Sequence, residues 1–444
     1  MENQNPTLPI HVLVYGAEDR LPVGPALLVA GQQVAAMVVG VVTPALLLSG
    51  ILKFSQADTA YFVSMALMAA AVGTFLQTMK FGPIGSGLLS VTGTSFAFLT
   101  PLIAAGRLGG LPLMFGMSLA GAPVQILLAP FMPRLRRLFP PLISGIVVLL
   151  IGLSIIPEAI KGIVAPAAPG APVMSGAAVA AAVIGTVLVA QAIGLVWARL
   201  TGILFGVVAG YVVCAVFGWL RAPAPTAAWI TLPRLLPHGF AFRSDLLLPF
   251  AFIYLVSLLE SLGDMTATAQ LSGLKAYGPE HAARLRGGLL ADGITSMIAA
   301  LFGSFPSTTY AQNNGVIQIT GVASRRLGKW IALILALLGL FPVVGNWVTA
   351  MPPAVLGGMA IFLFGLVSVS GLRLIVGTHL SHRDGLIVAL ALGVGLGAPS
   401  QTEWLAQLPA FFRGVLDSGV SAGGITAIVL NFLLPGGFRP VDER

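Results

Sequence analysis

The chain has 444 residues, of which 57% are hydrophobic and only 9% charged, against roughly a quarter charged in soluble domains. A mean hydropathy of +0.96, with 54 Gly and 31 Pro interrupting the apolar runs, excludes a soluble globular protein and points to an all-α polytopic membrane protein in contact with the lipid bilayer. The net charge of +8 would suggest nucleic acid in a soluble chain, but the basic residues sit in loops, as they do on the cytoplasmic side of membrane proteins, so no nucleic-acid partner is expected.

In chain order, residues 1–23 read as a cytoplasmic tail: they include Glu2, Glu18 and Asp19 and lack the basic, apolar and cleavage regions of a signal peptide. A span needs about 20 mostly apolar residues. That ruler finds seven candidates at 24–50, 60–79, 84–105, 111–132, 139–157, 176–195 and 200–220. The polar, Pro-rich stretch from Arg221 to Asp245 separates them from candidates at 246–270, 286–303, 306–323, 329–350, 353–374, 384–398 and 421–437. The densest basic groups follow even-numbered spans: Arg134, Arg136 and Arg137; Lys275, Arg284 and Arg286; Arg325, Arg326 and Lys329; Arg373 and Arg383. All therefore fall on one side, the cytoplasmic one, together with the tail holding Arg439 and Arg444. Both termini are expected inside an inner or plasma membrane.

Two sets of seven spans joined by an outside linker make an inverted repeat, because an odd count sends the second set in from the opposite face. The third member of each set is its weakest apolar segment. Span three carries Gly85-Ser86-Gly87 and Ser90-Val91-Thr92-Gly93-Thr94-Ser95; span ten carries Pro306-Ser307-Thr308-Thr309 and Gln312-Asn313-Asn314-Gly315. Matching interruptions in matching places mark the binding site of secondary transporters, where broken helices meet near the bilayer midplane. Spans three and ten are accordingly expected to be broken by short extended stretches.

A carboxylate at the bilayer centre costs at least about 2.5 to 3.5 kcal/mol. Three acids fall within spans: Glu260, Asp264 and Asp292, the last nearer an end of its span. Ser257, Glu260, Ser261, Asp264 and Thr268 form one polar stripe at helical spacing, a face that should line a cavity. No Lys or Arg sits mid-span to neutralise the acids, so Glu260 and Asp264, one turn apart in low dielectric, are not expected both to stay ionised. His11, His238, His281, His379 and His382 all fall in expected loops, which gives no support for a metal site. Cys214 lies in an apolar run as a packed thiol. The chain lacks GxxxxGK[ST], and no nucleophile, base and orienting group share a recognisable spacing, so neither ATP-driven transport, an enzyme nor a cofactor is expected.

The run Gln312-Asn313-Asn314-Gly315-Val316-Ile317-Gln318-Ile319-Thr320-Gly321 resembles the signature of the nucleobase/ascorbate transporter family. Glu260-Ser261-Leu262-Gly263-Asp264 resembles that family's eighth-helix acid with an Asp one turn on, and Gly93-Thr94-Ser95-Phe96-Ala97 its third segment. The resemblance implies fourteen segments in a seven-plus-seven inverted repeat and a homodimer. It divides them into a core domain (24–135 and 246–350, spans one to four and eight to eleven) and a gate domain (136–222 and 351–437). The linker 223–245 lies outside and the tail 438–444 inside. It further implies that Glu260 bonds ring N–H groups, Gln312 a second edge, and Phe96 stacks on the ring. The backbones near Ser95, Phe96 and Ala311 add contacts, while Asn313, Asp264, Asp292, Asn314, Thr320 and Gln33 support the site or its coupling.

The chemistry agrees: an oxopurine alternates N–H donors with C=O acceptors on a flat disc, and calls for a carboxylate, an amide and an aromatic face. Members resembling xanthine and urate carriers begin the signature with Gln, those resembling uracil permeases with Glu, so Gln312 favours a purine such as xanthine or uric acid over a pyrimidine. The coupling ion implied is a proton, with sodium as the alternative. Where members often have Gln-His in span one, this chain has Gln32-Gln33, which leaves proton coupling to Glu260, Asp264 or the substrate itself. A competing reading is a sulfate- or bicarbonate-type anion carrier of similar architecture.

Overall fold

The computed structural model describes residues 13–131, 140–193, 195–220, 230–276, 278–341, 345–347, 350–376, 380–416 and 418–434. His11, His379, the Arg134–Arg137 group, residues 1–12 of the first tail, 223–229 of the linker and the C-terminal tail lie outside them. The first helix, α1 (Val23–Leu52), ends at Lys53 in the left-handed conformation; α2 (Gln56–Met79) starts at an N-cap Ser55 that accepts from Asp58 N at 3.0 Å. After a strand β1 (Thr92–Thr94), α3 (Leu99–Leu128) is bent where Gly109 and Gly110 leave helical geometry. Gly110 takes a φ of 65° that L side chains rarely adopt, so spans three and four meet at this break.

Helices α4 (Pro141–Val164), α5 (Ser175–Ala192) and α6 (Val196–Val216) complete the first half. The second half runs α7 (Leu247–Leu271), α8 (Gly278–Leu301), strand β2 (Ser307–Thr309), α9 (Gln312–Thr320), α10 (Gly328–Leu340), α11 (Pro353–Val376) and α12 (His382–Gly397). Two short helices, α13 (Thr402–Ala406) and α14 (Ala410–Leu416), precede α15 (Gly419–Leu433). Among the described residues, seven helices are long and apolar enough to cross a membrane.

Packing sorts the helices into two groups. In one, α1, α2, α3, α7, α8, α9 and α10 surround the two strands; in the other, α4 packs on α11 and α15, α5 on α6 and α11, and α12 on α15. A seam of Val39 from α1 with Val179, Val183, Val355 and Met359 joins them. Cys214 is buried in this seam, as a packed thiol should be.

The strands are where the two halves cross. β1 and β2 pair antiparallel, with Thr92 opposite Thr309, Gly93 opposite Thr308 and Thr94 opposite Ser307, and all six residues are buried. Backbone at this depth needs partners from protein. Three-residue strands leave groups over, and neighbouring hydroxyls take them: Thr92 N donates to Thr74 Oγ1 at 3.1 Å and Ser307 N to Ser296 Oγ at 3.0 Å. Gly93 is needed for the close approach, since a Cβ there would lie 2.7 Å from the Tyr310 ring and 2.8 Å from Val41.

Two expectations are corrected. Asp292 is mid-helix in α8, not near an end, because the helix starts at Gly278, well before residue 286. His281 sits on this same first stretch of α8 and is buried, not in a loop; His382 opens α12. The hydropathy ruler locates the apolar slab, whereas the helix continues beyond it as long as its charges find partners. Here Arg284 is held by Glu280 at 2.9 Å and by the carbonyl of Gly87 at 3.3 Å.

Candidate functional site

The polar stripe of α7 faces the paired strands. The three acids on and beside it are held in three different ways. Asp292 is completely buried, and both its oxygens accept: Oδ1 from Gln77 Nε2 at 2.8 Å and Oδ2 from Ser261 Oγ at 2.5 Å. Ser261 is in turn 3.1 Å from Thr308 Oγ1 on β2. Gln77 donates also to Gly288 O at 2.9 Å and accepts from Ser86 N at 3.3 Å. One amide thus ties α2, α8 and the loop leading into β1, and through Asp292 reaches α7 and β2.

Asp264 is half engaged. Its Oδ1 accepts from Asn314 Nδ2 at 2.6 Å, and Asn314 Oδ1 accepts from Thr268 Oγ1 at 2.7 Å. Its Oδ2 lies near the Thr309 hydroxyl without a well-formed hydrogen bond. This pairing fixes the first turn of α9 against α7, because the amide and hydroxyl bridge the two helices.

Glu260 is different again. It makes no hydrogen bond or ion pair among the described residues, and it is exposed although its neighbours Ser257, Leu258, Ser261 and Asp264 are buried. It lies within electrostatic reach of Asp264, Asp292 and Tyr310, so the side chain opens toward the interior of the helix group rather than toward lipid.

The other candidates divide along the same line. Ala311 and Gln312, at the start of α9, are exposed, and Phe96 is half-buried with its ring edge-on to Phe364 on α11 at 5.2 Å. Gln312, like Glu260, has no hydrogen-bonding side-chain partner among the described residues. Asn313 is buried; its Nδ2 donates to Leu89 O in the segment before β1, which ties the two breaks together. Ser95 is buried, its N donating to Pro306 O at 2.9 Å and its hydroxyl unpaired.

Two of the residues assigned to support stand apart. Thr320 closes the end of α9, donating to Val316 O at 2.8 Å and accepting from Val322 N at 3.2 Å. Gln33 is buried in α1 with neither amide atom hydrogen-bonded among the described residues. Among the described residues, no group of three or more His, Cys, Asp or Glu side chains is placed to hold a metal ion.

Sequence reasoning missed two residues that hold this arrangement. Gln77 is one; as an amide inside an apolar run it carries the same signal as the acids, at lower strength. Tyr310 is the other: its N donates to Val91 O at 2.9 Å and its hydroxyl to Thr94 O at 2.8 Å, so that it locks β2 onto β1. Nothing in a tyrosine beside a broken helix identifies such a partner before the fold is known.

The arrangement has known counterparts. Residues 24–404 match the model of a permease family. The chain is 40% identical to the xanthine permease XanQ of Escherichia coli K12 over 96% of its length and 95% of that protein's. It is 38% identical to the xanthine permease XanP of the same organism, with 95% of each chain covered. A putative purine permease of Clostridium perfringens is 32% identical over 98% of this chain and 96% of that one. Among solved structures, the transmembrane domain of the cyanobacterial bicarbonate transporter BicA superposes with a TM-score of 0.59 at 14% identity, covering 93% of this chain and 99% of that one. SLC26A9 superposes at 0.62 and 13%, covering 92% and 65%. At such low identity these two report a shared fold alone.

Proposed function

The chain belongs to the nucleobase/ascorbate transporter family and is a membrane transporter rather than an enzyme, and from that membership we propose that it imports a purine nucleobase, xanthine or uric acid, together with protons. The observation that carries this reading is Glu260: a carboxylate with accessible surface, within electrostatic reach of Asp264, Asp292 and Tyr310 and without a hydrogen-bond partner among the described residues. A flat oxopurine meets it with ring N–H donors, while Gln312 offers a donor and an acceptor to the next edge and Phe96 an aromatic face. Asp292 and Asn314 are hydrogen-bonded to neighbours through both polar atoms, and Asp264 and Asn313 through one each, which suits them to positioning.

In this reading the fourteen segments form a seven-plus-seven inverted repeat. The helix group around β1 and β2 acts as the core domain, and the group containing α4, α5, α6, α11, α12 and α15 as the gate. Alternating access moves the site past the seam, where Phe96 on one side touches Phe364 on the other. The coupling proton is assigned to Glu260, the acid with no competing hydrogen bond. The protein works as a homodimer in the cell membrane with both termini inside.

The bicarbonate-type neighbours raise an anion carrier as the second reading. Three acids gathered at the breaks oppose it, since an anion there meets repulsion that helix N-termini only partly offset. Uptake by cells expressing the chain separates the two. Labelled xanthine or urate is expected to accumulate saturably and to be released by an uncoupler, with uracil a weak competitor. Accumulation of sulfate or bicarbonate without nucleobase uptake would reverse the assignment.

A further inference from the structure

Away from the helix breaks, a cavity of about 340 Å³ lies between the entry of α1 and the first turn of α10. Arg20, Arg326, Lys329 and Trp330 line it together with the apolar Leu21, Val23, Ala26 and Leu327. Its walls are fixed. The segment before α1 is laced to the segment before α10: Val14 N donates to Gly321 O at 2.8 Å, Ala323 N to Tyr15 O at 2.9 Å and Arg325 N to Ala17 O at 2.9 Å.

The charges around it are not balanced. Glu18 is taken by Arg325, whose Nη2 lies 2.8 Å from Oε2, and that guanidinium holds the Glu18 carboxyl below its ordinary range. Asp19 accepts from Gly16 N at 2.7 Å. Arg326 gives its Nε only to a backbone carbonyl, Glu18 O at 3.3 Å. Arg20 and Lys329 have no carboxylate partner among the described residues, and the Lys329 ammonium sits 5.3 Å from the centre of the Trp330 ring. Three cations thus line one cavity whose remaining lining is apolar apart from Trp330.

We propose that this cavity seats the phosphate of an anionic phospholipid headgroup. A phosphate offers oxygens that guanidinium and ammonium groups bind with charge-assisted hydrogen bonds. The apolar lining residues argue for a lipid rather than a free anion. Val23, 58% exposed at the same cavity, and Leu21 continue onto the surface of a membrane-length helix, where an acyl chain lies. Trp330 is the residue type that marks the headgroup level, and basic pockets between helices at that level bind anionic lipids.

The test uses purified full-length protein in nanodiscs of phosphatidylcholine, with or without phosphatidylglycerol, and reads the thermal unfolding midpoint. A ligand of the folded state raises it. Phosphatidylglycerol is expected to raise the midpoint by several degrees over phosphatidylcholine alone, and Arg20→Gln with Lys329→Gln to remove most of that rise. Arg373→Gln, which changes a basic side chain elsewhere, is expected to keep it. Lys329→Gln alone, at an exposed position, is expected to reduce the rise and serves if the double variant does not fold. Equal midpoints in the two lipids, or a full rise in the variants, would overturn the proposal. A rise produced by inorganic phosphate in phosphatidylcholine discs would make this a free-anion site and overturn the lipid assignment.

Discussion

Glu260→Gln is expected to lower saturable xanthine or urate uptake at least about a hundredfold while the protein still inserts and folds, because losing a charged acceptor and leaving a ring N–H unmatched together cost about 3 kcal/mol or more. The side chain keeps its size, but its amide offers one acceptor and presents donors to donors. Folding should be spared, since Glu260 holds no hydrogen bond among the described residues. Removing an acid from a lipid-embedded site, with Asp264 and Asp292 within electrostatic reach, should leave the unfolding midpoint of the ligand-free protein unchanged or raised. Uptake together with unfolding of purified protein checks both halves of the statement. Full uptake in the variant would remove Glu260 from the site.

Asp292→Ala is expected to show the opposite balance. It deprives Gln77 Nε2 and Ser261 Oγ of their shared acceptor, and a buried donor left unpaired costs about 1–3 kcal/mol. Each donor keeps one alternative, Gly288 O for Gln77 and Thr308 Oγ1 for Ser261, so the loss should stay at the lower end of that range. The unfolding midpoint is expected to fall by several degrees and uptake to fall with it, because β2 loses its register against α7. Asp292→Asn preserves volume but turns an NH2 toward one of the two donors. It should therefore impair uptake nearly as much as the alanine variant. Wild-type stability and uptake in both variants would show that the Gln77–Asp292–Ser261 chain does not position the site.

The contrast between these two acids illustrates what sequence alone conveys. Both stand out as carboxylates in apolar runs, and nothing local separates one that is open from one that is fully hydrogen-bonded. The separating information is the register of β1 on β2 and the approach of Gln77 across from α2, contacts between residues 215 positions apart. The breaks in spans three and ten were legible because clusters of Gly, Ser, Thr, Pro and Asn are rare in apolar helices. Their pairing followed from a symmetry argument. The tyrosine and hydroxyls that satisfy the paired strands did not.

Helix ends were less legible for a related reason. Hydropathy measures where side chains prefer lipid, and α8 extends past that zone on Glu280–Arg284 and on carbonyls of the neighbouring loop. The displaced start of α8 misplaced both His281 and Asp292. Span four, placed at 111–132, suffered less, since the backbone breaks at Gly109 and Gly110 just before it.

The most direct measurement is a structure of the purified protein with xanthine or urate bound. A planar ring is expected between Glu260 and Gln312, with ring N–H groups on the Glu260 carboxylate, the second edge on the Gln312 amide, and Phe96 against its face. A ring bound elsewhere, or one seated between the breaks with Glu260 turned away from it, would contradict this placement.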